Sequence, residues 1–367
     1  MYKKNMAQSV ERNKKFLKRQ MQDQILLKTR VRNNPYAIQE NRDRSWITRP
    51  PLSVADKEWV IETCHRNAMV YKDIDDDTIP VEYPTAHFGE SVYSYILGGE
   101  TKFVGNEYAT CSGAEPLVYN EDDLNKLKGY EKSEHKNIKI FTESAKYFAK
   151  EAKGDFALRY FITIDALNLA VELLGTTEAY YMVADEDHHP LLRKVMEFGV
   201  DYTYWFYMLQ KNIFRENNRA ALHDDEFYEL FDKTWYSIDA YDICKTEDYL
   251  DWGFEYQQEL IRKVGGGLLH THGTGLLRLL PHISKLQGLS VIQCGRDMYS
   301  QEWLGFENIK TFRDLSGDVP LSISISEDEF ITGIKNKTLP GNVKYTCWVD
   351  DIDTANKFAD MAKEYKL

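Results

Sequence analysis

The 367-residue chain has no run of about 18 uncharged apolar residues, so no helix is expected to cross a membrane. Its first twenty residues, MYKKNMAQSVERNKKFLKRQ, lack the apolar stretch of a secretion signal, and the expected compartment is the cytoplasm. Cysteines are few. The five of them, at 64, 111, 244, 294 and 347, are odd in number, widely spaced and without a CxxC pair. This argues against a disulfide framework or a zinc ribbon and leaves free thiols in a reducing compartment. There is no internal repeat, no low-complexity tract and no Gly/Ser/Pro linker. The glycine-rich first turn of a doubly wound nucleotide-binding fold is missing too. GGG at 265–267 precedes a strand end, and GTG at 273–275 has no third glycine in register. Positive charge is in deficit: a net charge of −12 argues against nucleic acid as partner. The local exception is residues 3–32, with ten Lys and Arg against two acids. They read first as a solvated amphipathic helix and second as a docking arm for an acidic partner.

What is present is a core-forming 43 % of hydrophobic residues and a regular rhythm. Residues 1–75 read as a helical N-terminal extension. SVERNKKFLKRQMQDQILLKTRV is helical by composition, and a second helix follows the Pro-Pro punctuation at 50–51. From residue 76 to 367, short β-rich segments alternate with longer amphipathic ones. The candidate strands are 79–83, 108–112, 157–163, 235–240, 267–271, 290–293, 319–323 and 343–347. The helices between them include 122–128, 137–150, 187–214, 246–264, 327–335 and 353–364. Alternating β and α elements imply parallel strands with helices outside, and eight strands imply a closed (β/α)8 TIM barrel on which the extension packs.

In such a barrel chemistry lies just past the strand C-termini. Those positions hold Glu82, His87, Cys111, Asp165, Asp239, Asp242, His270, His272, Gln293, Cys294, Ser324, Cys347 and Asp350. The sharpest feature is LLHTHGTG at 268–275. Residues two apart on an extended chain share a face, so His270 and His272 point at one place. Two imidazoles so placed suit a divalent metal, and Cys347, at the end of VKYTC, is the candidate third ligand, leaving an open tetrahedral position. Without a metal, His270 with Asp242 or Glu82 suits general acid–base work. His87, Asp165 and Gln293 are placed for substrate contact. Plainer readings stand beside these: Asp165 as a helix cap, Asp187-His188-His189-Pro190 as a helix start, and the aromatic run 202–207 as helix packing.

The run GGGLLHTHGTGLLRLL with the following strand LSVIQ resembles the uroporphyrinogen decarboxylase superfamily, as do residues 156–198 and 242–266. The resemblance covers about residues 76–365 and implies a (β/α)8 barrel. The substrate-gripping arginine motif of the porphyrinogen decarboxylases has no match in NRDRSWITRPP, which argues against a tetrapyrrole substrate. The closer pattern is the zinc-dependent branch that moves a methyl group from a corrinoid protein to a thiol. Carried over position by position, it implies zinc held by His270, His272 (where the family has Cys) and Cys347, with Asn356 opening the last helix. The expected activity is a methyltransferase acting on a small thiol or related nucleophile, with corrinoid supplied only through a partner protein. The alternatives are a metal-free decarboxylase or lyase of the same fold and a non-catalytic binding barrel. A homodimer is compatible with all three.

Overall fold

The computed structural model describes residues 3–38, 50–105, 110–132, 134–217, 234–295 and 308–367. Eleven strands are found among them: β1 (Ile25–Val31), β2 (Val81–Glu82), β3 (Thr101–Gly105), β4 (Thr110–Ala114), β5 (Ala157–Leu158), β6 (Thr163–Ile164), β7 (Trp235–Ser237), β8 (Leu268–His272), β9 (Val291–Gly295), β10 (Leu321–Ile325) and β11 (Val343–Val349). Seven of them form one parallel sheet in the order β1-β11-β10-β9-β8-β7-β6. Helices separate most of the consecutive strands of this sheet, which makes the architecture mixed α/β.

Side-chain alternation divides the sheet into two unlike faces. On β11, Val343, Tyr345, Cys347 and Val349 are fully buried, while Lys344, Thr346 and Trp348 point the other way. The buried face packs under helices such as Ala166–Leu174, His189–Asn217 and Ile352–Glu364, and their apolar residues join one large core. Parallel register carries the second face across the strands as a polar row. Ser237 pairs with His270, His270 with Gln293, Gln293 with Ser322, and Ser322 with Lys344. That row is what positions the site.

Three expectations are corrected here. The stretch read as helical up to Val31 splits into a helix, Met6–Leu17, and strand β1, so the first strand of the sheet lies within residues 1–75. In ILLKTRV the residues alternate at period two, with Lys28 and Arg30 on the polar face. The expected strand 108–112 begins outside the described residues, and β4 pairs antiparallel with β3 as a separate hairpin. The closed eight-stranded barrel is not seen: among the described residues no ladder joins β6 to β1, and β2 pairs only with β5 as a two-stranded unit. Side chains occupy part of the β1 edge. Asp77 Oδ2 accepts the Leu27 amide at 3.0 Å and Asp76 Oδ2 accepts the Thr29 amide at 2.6 Å, taking donors that a neighbouring strand would use.

The helix expected over 246–264 is broken at Gly253 into Thr246–Trp252 and Phe254–Val264. The Asp187–Pro190 sequence opens the long helix as a 3-10 turn, Glu186–His188, leading into His189. The aromatic run packs inside: Tyr202 and Tyr207 are buried. The basic N-terminal segment is partly structural, with Lys3 buried against Asp76 and Arg12 bonded to Asp77. Among the described residues no helix is long and apolar enough to cross a membrane.

Candidate metal centre

His270 and His272 both stand on the polar face of β8, because they are two residues apart on an extended strand. Their Nε2 atoms are 3.0 Å apart. His270 Nδ1 lies 3.1 Å from Gln293 Oε1, and His272 Nδ1 lies 3.0 Å from Asp242 Oδ2. An amide oxygen and a carboxylate only accept, so each Nδ1 carries the proton and donates it. Both Nε2 lone pairs are thereby turned toward one another, an arrangement that asks for a cation or a proton between them.

Asp239, on the turn after β7, brings the anion. Its Oδ1 is 4.0 Å from His270 Nε2 and 3.4 Å from His272 Nδ1, and this oxygen is buried and accepts no hydrogen bond. One ligand atom from each of Asp239, His270 and His272 falls within 4.8 Å of the others. Two neutral imidazoles and a carboxylate oxygen left without a donor fit a divalent metal ion, and these three residues could hold one.

The surroundings fix this arrangement. Thr271 Oγ1 donates to Asp242 Oδ1 at 3.4 Å, and Arg278 clasps the backbone by donating to the carbonyls of Tyr241 and Asp242. Two glycines leave the room. A Cβ on Gly275 would lie 2.4 Å from Asp242 Oδ1, and one on Gly295 would lie 2.9 Å from His270 Cε1 and 3.0 Å from His272 Cδ2. Burial holds the His270 pKa below the ordinary value, against the pull of Asp239 and with help from His272, which keeps the ring in its neutral, ligating form. Burial lifts the Asp165 carboxyl to about 7, and partial burial and then Asp239 raise the carboxyl of the exposed Glu90.

The other expected site residues are placed as follows. Cys347 does not join the histidines. It lies on the helix-covered face of β11, fully buried, paired in register with Ile325 and Thr29, while the polar row containing His270 meets β11 at Lys344. Burial raises its thiol to about 12. Cys294 is on the same buried face, next to Thr271 in register. Asp242 orients His272, and Gln293 orients His270. Glu82 lies on β2, with Lys28 and Arg30 as its charged neighbours and Asn67 as its hydrogen-bond partner. Asp165 caps the helix Ala166–Leu174, accepting from the amides of Leu167 at 2.7 Å and Asn168 at 3.2 Å. Asn356 ties the last helix to the segment at 73–75 by accepting from the Asp75 amide and donating to the Asp73 carbonyl, each at 2.8 Å. The side chain of Cys111 lies outside the described residues. Asp239 stood among the strand-end positions but was not singled out as a ligand, and nothing in the sequence separates it from Asp242, three residues on.

His87 is a core histidine. Its Nδ1 meets the Pro84 carbonyl at 3.0 Å, and its ring packs on Phe88 and Phe148. Burial lowers its pKa to about 4. The unfolded chain, with an ordinary histidine near 6.5, then binds more protons below that pH, so stability declines as pH falls from about 6.5 to about 4. His87→Phe is expected to flatten this limb by about 3 kcal/mol, read by urea unfolding at both pH values, while metal binding is unchanged. An acid limb equally steep in the variant would place its cause elsewhere.

No family model and no curated protein sequence matches the chain. Among solved structures, a methyltransferase from Methanosarcina mazei superposes with a TM-score of 0.51, covering 85 % of this chain and 87 % of that one at 11 % identity. The chain thus shares the fold of that methyltransferase across nearly its whole length.

Proposed function

We propose that this chain is a zinc-dependent methyltransferase of the uroporphyrinogen decarboxylase superfamily, one that activates a small thiol or related nucleophile and takes the methyl group from a corrinoid partner protein. The observation that carries it is the pair of Nε2 lone pairs converging beside the undonated carboxylate of Asp239. Shared fold with a methyltransferase supports the reaction class. Fold alone does not assign activity, so the site has to carry the rest. On this reading β2 and β5 complete the wall as a (β/α)8 barrel, with β1 contributed from residues 1–75, and the protein works in the cytoplasm.

Zinc accepts imidazole nitrogen at about 2.0–2.1 Å and carboxylate oxygen at similar length, and in catalytic sites it commonly has three protein ligands and one open position. His270, His272 and Asp239 would hold it, and the chemistry it supplies is stabilisation of a bound thiolate at neutral pH. The chain's own residues do the remainder. Asp242 and Gln293 fix the two rings, and Arg278 and Thr271 fix Asp242.

A second reading rests on the same contacts. The Asp242–His272–His270 chain, with two links of 3.0 Å each, is also a proton relay suited to a metal-free decarboxylase or lyase. The test is methyl transfer from methylcobalamin to a small thiol by zinc-loaded protein. Turnover that falls at least about 100-fold in His270→Ala supports the first reading. Fully loaded protein that leaves both the corrinoid and a panel of thiols unchanged contradicts it.

A further inference from the structure

The polar face of the sheet continues from the histidines toward the strand N-termini as a cavity of about 400 Å³, within the range of small-molecule sites. Gln293, the partner of His270, forms part of its wall. Helix Met6–Leu17 closes its far end with Phe16 and Leu17. The charges in the wall are unbalanced. Lys28, Arg30, Arg159 and Lys344 face it, against the single carboxyl of Glu82 among the described residues.

These cations are poorly compensated. Among the described residues Lys344 Nζ donates to the Asn13 amide oxygen at 3.4 Å, with Asp77 and Asp76 acting on it without a direct bond. The Arg159 guanidinium lies 3.8 Å from the Trp235 ring centre and 5.0 Å from that of Tyr83, and its buried Nε has no acceptor among the described residues. Arg30 sits 5.2 Å over the Trp348 ring. Lys28, Lys344 and Arg159 are partly buried in this wall and Arg30 is exposed at its edge, so basic groups there outnumber the one acid and the missing counter-charge points to a ligand. Arginine with a free donor and two lysines in reach of one space is the donor set that carboxylates select.

We propose that this cavity binds a small organic molecule carrying two carboxylates, one end held by Lys28, Lys344 and Arg159 and the other extending past Gln293 toward His270. Binding follows from the cavity alone; only the identification of this molecule as the substrate rests on the methyltransferase reading.

Protons accompany the anion. Burial brings Lys28 down to about 7, with Arg30 and Lys344 adding to the effect and Asp76 and Glu82 opposing it. Lys344 is lowered by burial against Asp77 and Asp76. Burial lifts Glu82 to about 8. An empty cavity at pH 8 therefore holds Lys28 largely neutral, and an entering dianion recharges it.

The experiment is calorimetric titration of succinate into the full-length, metal-free protein at pH 8, in Tris and in triethanolamine. Expected are saturable binding, a heat that differs between the buffers through proton uptake, and at least a tenfold loss of affinity in both Lys28→Met and Lys344→Met. Thermal melts of the ligand-free variants report folding, and removal of a buried cation is expected to leave the midpoint equal or higher. Absence of succinate binding to folded native protein, saturation by inorganic phosphate in its place, or native affinity in both lysine variants would overturn the proposal. Succinate binding without any methyl transfer would leave the anion site standing and sink only the reaction.

Discussion

Asp239→Asn is expected to strip the metal from the protein, whereas Cys347→Ser leaves it bound. The contrast follows from which face of the sheet each side chain occupies. Asp239 Oδ1 sits beside both imidazoles without a hydrogen bond, so its charge is available to a cation. An amide in its place supplies a weaker, neutral oxygen and leaves two lone pairs 3.0 Å apart with nothing to offset a dication's desolvation. Affinity should fall by at least about 100-fold, more than the tenfold to hundredfold expected for Asp242→Asn or Gln293→Ala, which only orient the rings. Cys347 is fully buried among apolar residues on the opposite face, and Ser there changes packing but no ligand. Competition against a chromogenic chelator measures all four variants. Loss of metal in Cys347→Ser with retention in Asp239→Asn would reverse the assignment.

The largest stability effect is expected away from this site, at Asp76. Its carboxylate is 1 % exposed and accepts from Lys3 Nζ at 3.0 Å, from the Thr29 amide at 2.6 Å and hydroxyl at 2.8 Å, and from the Thr78 amide at 2.9 Å and hydroxyl at 2.7 Å. It therefore holds the N-terminal segment to the edge of β1. Asp76→Asn leaves the Lys3 ammonium buried with no counter-charge and is expected to cost about 3–5 kcal/mol, measured by urea unfolding. Adding Lys3→Met should recover most of that loss, because a buried pair is worth little over apolar side chains. Burial pushes the Asp76 pKa up, but Lys3 and the bonds from Thr29 and Thr78 outweigh it and the net shift is downward. A carboxyl depressed in the folded state contributes stability that is present above its unfolded value, about 3.9, and lost as pH falls through the folded one. The native chain should lose this contribution in acid, and the double variant should not.

These two cases also show what could be read in the residues beforehand. Period-two spacing was enough to put His270 and His272 on one face, because that depends only on strand geometry. The same rule could have excluded Cys347, had the register been known. Lys344 shares the polar row, and Cys347 is three residues further on, an odd step that turns it to the other face. Register is a property of strand pairing and is invisible in one strand alone. Choosing Asp239 over Asp242 needed the turn after β7, where Asp242 is already committed to His272. Strand β1 was hidden because Lys28 and Arg30 look like a solvated helix face, when they line one polar cavity of the sheet, Lys28 partly buried and Arg30 exposed. Asp165 was legible as a cap and Asp187–Pro190 as a helix start because such chemistry is local, though the cap before the latter is Asp185 and not Asp187.

The central claim is a metal held by two imidazoles and a carboxylate, with no thiolate. X-ray absorption at the zinc edge, on protein purified without a histidine tag and loaded with one equivalent, tests it most directly. A first shell of nitrogen and oxygen at about 2.0–2.1 Å with imidazole multiple scattering is the predicted result, whereas a sulfur scatterer at about 2.3 Å, in a sample free of added thiol, would contradict it.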